Sequence, residues 1–140
     1  MKLQLAIILA ATVGISALAQ DQKPAASSGT LPPASTKTGV TFATDIKPMF
    51  DASCVKCHSG DKAKAGLRLD TLDNTLLGGK KGKDKILKPG DSANSPVVKM
   101  IAHIGDQDGW MPPAKNKANI GPLTADQVGL VRAWIDQGAK

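Results

Sequence analysis

Two thiols and an imidazole stand close together near the middle of the chain. Cys54, Cys57 and His58 form a C-x-x-C-H segment, and the chain has no other cysteine. Two thiols at this spacing can reach both vinyl groups along one side of a haem, and the next residue then places an imidazole under the iron. The spacing predicts one covalently attached c-type haem, with Cys54 and Cys57 as thioether residues and His58 as the proximal iron ligand.

Three other kinds of site use similar residues. A thioredoxin-like redox pair needs its C-x-x-C beside a βαβ pattern, which this sequence lacks. A zinc site would combine Cys54, Cys57 and His58 with His103, but ligands adjacent in sequence are awkward partners in a tetrahedral shell. A disulfide would suit an exported chain, yet so short a loop adds little stability and leaves the adjacent histidine unexplained.

The second axial ligand decides what the iron does. Methionine or histidine on the far side makes an electron carrier, whereas an open position permits ligand binding or catalysis. Met49 precedes the attachment segment on the same predicted helix, so it cannot easily reach the opposite face. Met100 falls within a predicted helix, where methionine is more often core filler, and His103 on that helix is interpreted as a surface or core residue.

Met111 is the predicted distal ligand because of the loop around it. Pro112 and Pro113 follow it and stiffen the backbone, which helps to hold a weak thioether ligand in place. Trp110 stands just before it and is predicted to cover the haem edge. His58 and Met111 are therefore the predicted metal ligands.

Two helices are predicted around the attachment segment. The first covers residues 46–52, with Asp45 as its cap, and runs straight into Cys54. The second is short, begins after Thr71 and is ended by Gly78-Gly79. Between them, an alternation of apolar and charged residues predicts a short extended segment.

Two more helices are predicted in the second half of the chain. Ser95-Pro96 opens a helix that reaches about residue 104. The last helix, over residues 124–137, begins with a Thr-x-x-Gln capping box and is ended by Gly138. Long stretches separate the helices, so we expect an all-α protein of helices and long loops wrapped around one haem.

The beginning of the chain predicts export. Residues 1–19 combine a basic start, an apolar run and an Ala-x-Ala site, which are typical of a cleaved signal peptide; an uncleaved membrane anchor is the alternative. Residues 20–39 are rich in Pro, Ala, Ser and Thr and predict a flexible linker. The folded monohaem domain is expected over residues 40–140, with no membrane span after cleavage of the signal peptide.

Charge and composition narrow the choice of partner. The chain of 140 residues has a formal net charge of +6, and only 3% of its residues are aromatic. No basic segment is interleaved with aromatic residues, and an exported protein seldom meets nucleic acid, so we expect an acidic docking surface on a redox partner rather than nucleic acid. The scarcity of large core side chains also favours a bound group that fills the interior.

Several short motifs follow one another along residues 42–139. They are Asp45-Ile46-Lys47-Pro48-Met49-Phe50, the C-x-x-C-H at 54–58, Gly66-Leu67-Arg68-Leu69-Asp70, Pro89-Gly90-Asp91, Met111-Pro112-Pro113 and Trp134-Ile135-Asp136-Gln137-Gly138-Ala139. In this order they resemble the planctomycete-type cytochrome c domain of the class I cytochrome c superfamily.

The resemblance implies a class I cytochrome c fold. The first and last helices would cross, with Phe50 and Trp134 near their contact. It also implies the ligand set named above, with two thioether cysteines, His58 as proximal ligand and Met111 as distal ligand. Relatives often carry this domain fused to larger ones, so the resemblance does not name a pathway.

These observations predict a periplasmic or otherwise exported electron carrier that has no catalytic residues of its own and is not an enzyme. The alternatives are a haem sensor or catalytic haem protein with an open or displaceable distal site, and an electron-transfer subunit of a larger oxidoreductase. Around the haem, Pro89 is a candidate to accept a hydrogen bond from His58. Arg68 is either a partner for a haem propionate or an exposed side chain.

Overall fold

The computed structural model of the protein describes residues 29–140. The signal peptide predicted over residues 1–19, and residues 20–28 of the predicted linker, lie outside this range. Within it the chain is helical and has no strand, apart from an isolated bridge between Gly79 and Asp84. The prediction of an all-α protein is confirmed for this part of the chain. None of its helices has the length and apolar character needed to cross a membrane.

The first helix begins earlier than predicted. A π-helical turn, Phe42–Ile46, leads directly into helix α1, Lys47–Ser53. Thr41 is the cap, because its side chain accepts a hydrogen bond from the backbone N–H of Thr44. Asp45, the predicted cap, instead accepts a hydrogen bond from the backbone N–H of Thr41. The extra turn buries Phe42, which explains why the helix extends toward the N-terminus.

Two short helices follow the attachment segment. Helix α2, Leu72–Leu77, has Thr71 as its cap and is followed by Gly78 with φ 85°, as predicted from sequence. Helix α3, Gly79–Gly82, is a single turn that the sequence analysis did not predict.

The last two helices are separated by a long irregular stretch. Helix α4, Pro96–Ile101, stops short of the predicted end near residue 104. Ser95 precedes it but does not cap it, because its hydroxyl bonds with the backbone of Lys88 and Asp91 instead. Helix α5, Ala125–Asp136, begins with the predicted capping box.

Aromatic residues join the two ends of the domain. Phe42 lies 6.2 Å from Phe50 and 5.8 Å from Trp134, measured between ring centroids. Trp134 is fully buried, and its indole N–H donates to the carbonyl oxygen of Lys140. Phe42 therefore links the two residues that were predicted to lie near the crossing of the first and last helices.

Residues 31–37, here called the N-terminal strap, lie along helix α5. The backbone N–H of Ser35 donates to the carbonyl oxygen of Gly129 at 2.9 Å, and the side-chain amide of Gln137 donates to the carbonyl oxygen of Lys37 at 2.8 Å. Arg132 donates to the carbonyl oxygen of Pro32. This part of the predicted linker is packed, so the packed part of the chain begins before residue 40.

Gly129 is what lets the strap approach. A Cβ atom at this position would lie 2.6 Å from the carbonyl oxygen of Pro33. Alanine is better than glycine in a helix by up to ~1 kcal/mol, but relieving such a clash costs ~1–3 kcal/mol. We expect Gly129→Ala to lower the free energy of unfolding by about 1–2 kcal/mol, measured by urea denaturation. Gly121→Ala is the control, because a Cβ there meets nothing within 4 Å; equal stability of both variants would contradict the prediction.

Candidate functional site

One cavity brings the predicted site residues together. Cys54, Cys57, His58 and Met111 all line it, although Met111 lies far from the other three in sequence. The rest of its lining is mostly apolar. It comes from Phe50, Ser53, Ala65, Leu67, Leu69, Gly79, Asp84, Ile86, Val97, Met100, Ile101, Pro112, Pro113, Asn116 and Ile120. An apolar space with thiols, an imidazole and a thioether in its walls has the chemistry needed to enclose a haem.

The attachment segment is a tight turn at the end of α1. The backbone N–H of Cys54 donates to the carbonyl oxygen of Phe50 at 2.7 Å and so extends the helix by one hydrogen bond. The N–H groups of Cys57 and His58 then both donate to the carbonyl oxygen of Cys54, at 3.0 and 2.9 Å. This folding back brings both thiols and the imidazole to one cavity wall.

The two thiols are neither paired with each other nor part of a metal-binding cluster of three ligands among residues 29–140. Both are free rather than joined in a disulfide. Burial, with a smaller effect from Cys57, raises the pKa of the Cys54 thiol to about 12, so this thiol is protonated at neutral pH in the metal-free chain. Among residues 29–140 no cluster of three His, Cys, Asp or Glu could hold a metal ion. His103, the fourth ligand of the zinc alternative, does not line the cavity.

His58 is oriented by a backbone carbonyl. Its Nδ1 atom lies 3.3 Å from the carbonyl oxygen of Leu67. When Nδ1 carries the proton it donates to this oxygen, which leaves Nε2 unprotonated and able to bind iron. Burial lowers the pKa of His58, and the bond to Leu67 partly opposes this, so the neutral form that metals bind is favoured. The candidate partner Pro89 was wrong, because Leu67 takes that position.

The extended segment after the attachment turn is tied down on both sides. The backbone N–H of Leu69 donates to the carbonyl oxygen of His58 at 2.9 Å. Arg68 pairs with Asp70 at 2.6 Å, and Asp70 also accepts a hydrogen bond from Asn74 on α2. The hydrogen bond from Arg68 lowers the pKa of Asp70. Arg68 does not line the cavity, and its pairing with a haem propionate stays a prediction.

The structure separates the four candidates for the distal ligand. Met100 and Met111 line the cavity, whereas Met49 and His103 do not, although both are buried. The backbone N–H of Met111 donates to the carbonyl oxygen of Met100 at 3.0 Å, so the two methionines are neighbours. Trp110 was predicted to cover the haem edge; it does not line the cavity and stacks on His103 instead.

A loop that the sequence analysis missed closes the cavity beyond Met111. The side chain of Asn116 donates to the carbonyl oxygens of Pro113 and Ile120 and accepts from the backbone N–H of Ile120 at 2.9 Å. Asparagine often bonds to nearby backbone in this way, so the residue type was a usable signal. Asn116 and Ile120 both line the cavity.

Residues 54–115 match the family model described as planctomycete cytochrome C. This match supports a planctomycete-type cytochrome c domain over that part of the chain. The matched segment begins at Cys54 and extends beyond Met111, so it contains all four predicted site residues. The resemblance inferred from motifs along residues 42–139 is thereby confirmed for residues 54–115. No curated protein and no solved structure matches the chain.

A cytochrome c domain implies haem and indicates a haem-binding electron carrier. The residues of this cytochrome domain fit that group. Apolar walls suit the macrocycle, the C-x-x-C spacing suits two thioether bonds, and the Nδ1 of His58 already has an acceptor.

Proposed function

We propose that the protein is an exported monohaem c-type cytochrome that carries one electron at a time between partner proteins. In this proposal Cys54 and Cys57 hold the haem, and His58 and Met111 are its axial ligands. The observation that carries it is the convergence of these four residues on one mostly apolar cavity. The bound haem supplies a one-electron couple at its iron.

Each part of the site has a task in electron transfer. The two thioether bonds keep the cofactor in a small domain through many turnovers. The carbonyl oxygen of Leu67 fixes the ring of His58 and makes it a more basic ligand. The apolar walls exclude water, and a thioether on the opposite side raises the reduction potential relative to a second histidine. If His58 and Met111 both bind the iron, no position would remain for a substrate, so the protein is proposed to have no turnover of its own.

Export is part of the same proposal. Cytochrome c domains are typically exported, and residues 1–19 have the pattern of a signal peptide. A periplasmic location would place the protein among the redox proteins that it serves. It would act there either alone or as a subunit of a larger oxidoreductase.

The competing function is a haem sensor or catalyst, in which Met111 is easily displaced. Carbon monoxide separates the two, because it binds ferrous iron only at an open or readily opened position. We expect the reduced protein to bind carbon monoxide slowly and incompletely at neutral pH, followed by visible absorption. Rapid, stoichiometric binding would favour the sensor or catalyst over the carrier.

Exposed lysines next to cavity-lining residues give the proposed partner a place to dock. Lys64, Lys80 and Lys115 adjoin the lining residues Ala65, Gly79 and Asn116. Their positive charge would attract an acidic surface and bring it close to the haem. Lys80 is also 3.3 Å from Asp84, so its charge is partly offset.

We expect the second-order rate of electron exchange with an acidic partner to fall about tenfold or more as salt rises, because salt screens steering of this kind. Stopped-flow mixing at increasing ionic strength measures it. The variant K64Q/K115Q should lower both the rate at low salt and its salt dependence. K140Q should leave both nearly unchanged, because Lys140 does not adjoin a lining residue in the sequence. A flat salt response in the unaltered protein would remove the lysines from the mechanism.

A further inference from the structure

The loop that leads to Met111 contains a stacked aromatic pair, His103 and Trp110, neither of which lines the cavity. We propose that His103 and Trp110 form a clasp that positions Met111, and that His103 is a positioning residue for the distal ligand. This inference rests on the proposed role of Met111 as a ligand.

The loop is closed at its base by one carbonyl group. Helix α4 ends at Ile101, and the chain then leaves the helix and returns at residue 111. The carbonyl oxygen of Met100 accepts hydrogen bonds from the backbone N–H of His103, at 3.2 Å, and of Met111, at 3.0 Å. Residues 102–110 therefore form a closed loop whose last residue is bonded directly to Met111.

The rings of His103 and Trp110 stack inside this loop. Their centroids are 4.7 Å apart and their planes differ by 11°. The indole N–H of Trp110 also donates to the carbonyl oxygen of Gly105 at 3.1 Å. Ala102 and Ile104 pack on the core at the start of the loop, and residues 105–108 are exposed. The stacked pair therefore joins the two ends of this exposed stretch. Since Trp110 immediately precedes Met111, fixing its ring limits the movement of the backbone that carries the thioether.

The residue type at position 103 fits this role. Only 8% of His103 is exposed, yet its Nε2 atom has no hydrogen-bond partner among the described residues. The ring is therefore held by its face rather than by its buried nitrogen. His103 also has a φ of 55°, and histidine is one of the few side chains enriched in this left-handed region. Asparagine and aspartate are the others, and neither has a ring. Histidine therefore supplies a flat face at a backbone position that disfavours phenylalanine or tyrosine.

His103→Asn tests the clasp in the haem-loaded protein. Asparagine tolerates the left-handed backbone but has no ring, so the stack is lost with little added strain. Cyanide must displace the distal ligand from ferric iron, and its affinity therefore measures how firmly Met111 is held. We expect cyanide to bind about two- to tenfold more tightly to the variant, the range for one lost aromatic stack. The far-red band of methionine-ligated ferric haem should weaken in parallel.

Substitutions at the other ring give an independent test. Trp110→Leu should raise cyanide affinity as His103→Asn does, and Trp110→Phe, which keeps a ring on the stack, should stay closer to the unaltered protein. The double variant H103N/W110L should bind cyanide no more tightly than either single variant, because both substitutions remove the same contact. Unaltered cyanide affinity in both H103N and W110L would overturn the proposal.

Two controls separate the clasp from a general loss of stability and from a wrong ligand assignment. Gly129→Ala loosens the domain at the N-terminal strap, and a cyanide affinity raised as much as in H103N would reduce His103 to a general stabilising role and overturn the proposal. Met111→Leu tests the ligand itself. If M111L keeps the far-red band, the ligand assignment fails; if M111L loses it while H103N binds cyanide normally, only the clasp fails.

Discussion

Replacing both Cys54 and Cys57 with serine will remove all covalently bound haem. The hydroxyl groups of serine do not form thioether bonds with the vinyl groups, so nothing remains to keep the cofactor on the chain under denaturing conditions. A denaturing gel stained for haem peroxidase activity will show a band for the unaltered protein and none for C54S/C57S. Each single variant keeps one possible bond, and we expect it to retain much less haem than the unaltered chain.

The same change will also destabilise the fold. The cavity walls are mostly apolar and come from most of the described chain, so without haem they face water or collapse on one another. We expect C54S/C57S to be recovered from the exported fraction at a small fraction of the normal level. Met111→Leu is the matched control, because it alters the cavity but keeps both attachment residues. A haem-stained band that persists in C54S/C57S would contradict the covalent assignment.

Replacing Met111 with leucine will abolish the far-red absorption band of the ferric protein. Leucine has nearly the same volume as methionine, so packing is kept while the sulfur is lost. The reduction potential should fall by on the order of 0.1 V, because axial-ligand identity contributes to a range of about 0.8 V across haem proteins. Visible absorption and a potentiometric titration measure the two effects.

Met100 makes this experiment specific. It is the other methionine in the cavity lining, and its backbone carbonyl bonds to Met111. We expect Met100→Leu to keep the far-red band, with at most a small change in potential. The reverse result, with the band lost in M100L and kept in M111L, would transfer the distal role to Met100. Loss in both variants would indicate that Met100 packs closely enough to hold Met111 in place.

The predictions that succeeded from sequence rest on residues close together along the chain. Thr71 caps α2 and the Thr124–Gln127 box caps α5 as predicted, because each cap is a bond between residues three positions apart. The C-x-x-C-H spacing is equally local, and haem attachment at it stays a prediction. The helix ends were less well predicted, because they depend on contacts beyond the helix itself. Phe42 is buried in the extra turn before α1, and the hydroxyl of Ser95 bonds to Lys88 instead of capping α4.

Contacts between residues far apart in sequence could not be predicted from local patterns. Leu67 rather than Pro89 accepts from His58, and Trp110 stacks on His103 and does not line the cavity. No periodic pattern in the sequence predicts either contact, because both depend on the path that a loop takes through space. Nor did composition indicate that the N-terminal strap packs on α5, since that contact depends on the missing side chain of Gly129.

The sequence by itself therefore determined the chemistry available to this protein: two thiols and an imidazole in one turn, a methionine before two prolines, and the family motifs around them. Those features are covalent spacing and local bonding, which any conformation of the chain must respect. Only the tertiary structure decided that Met100 lies beside Met111 in the cavity, that a backbone carbonyl orients His58, and that His103 and Trp110 stack on each other. These contacts form when the loops pack around a common apolar space, and each depends on all the segments that line it.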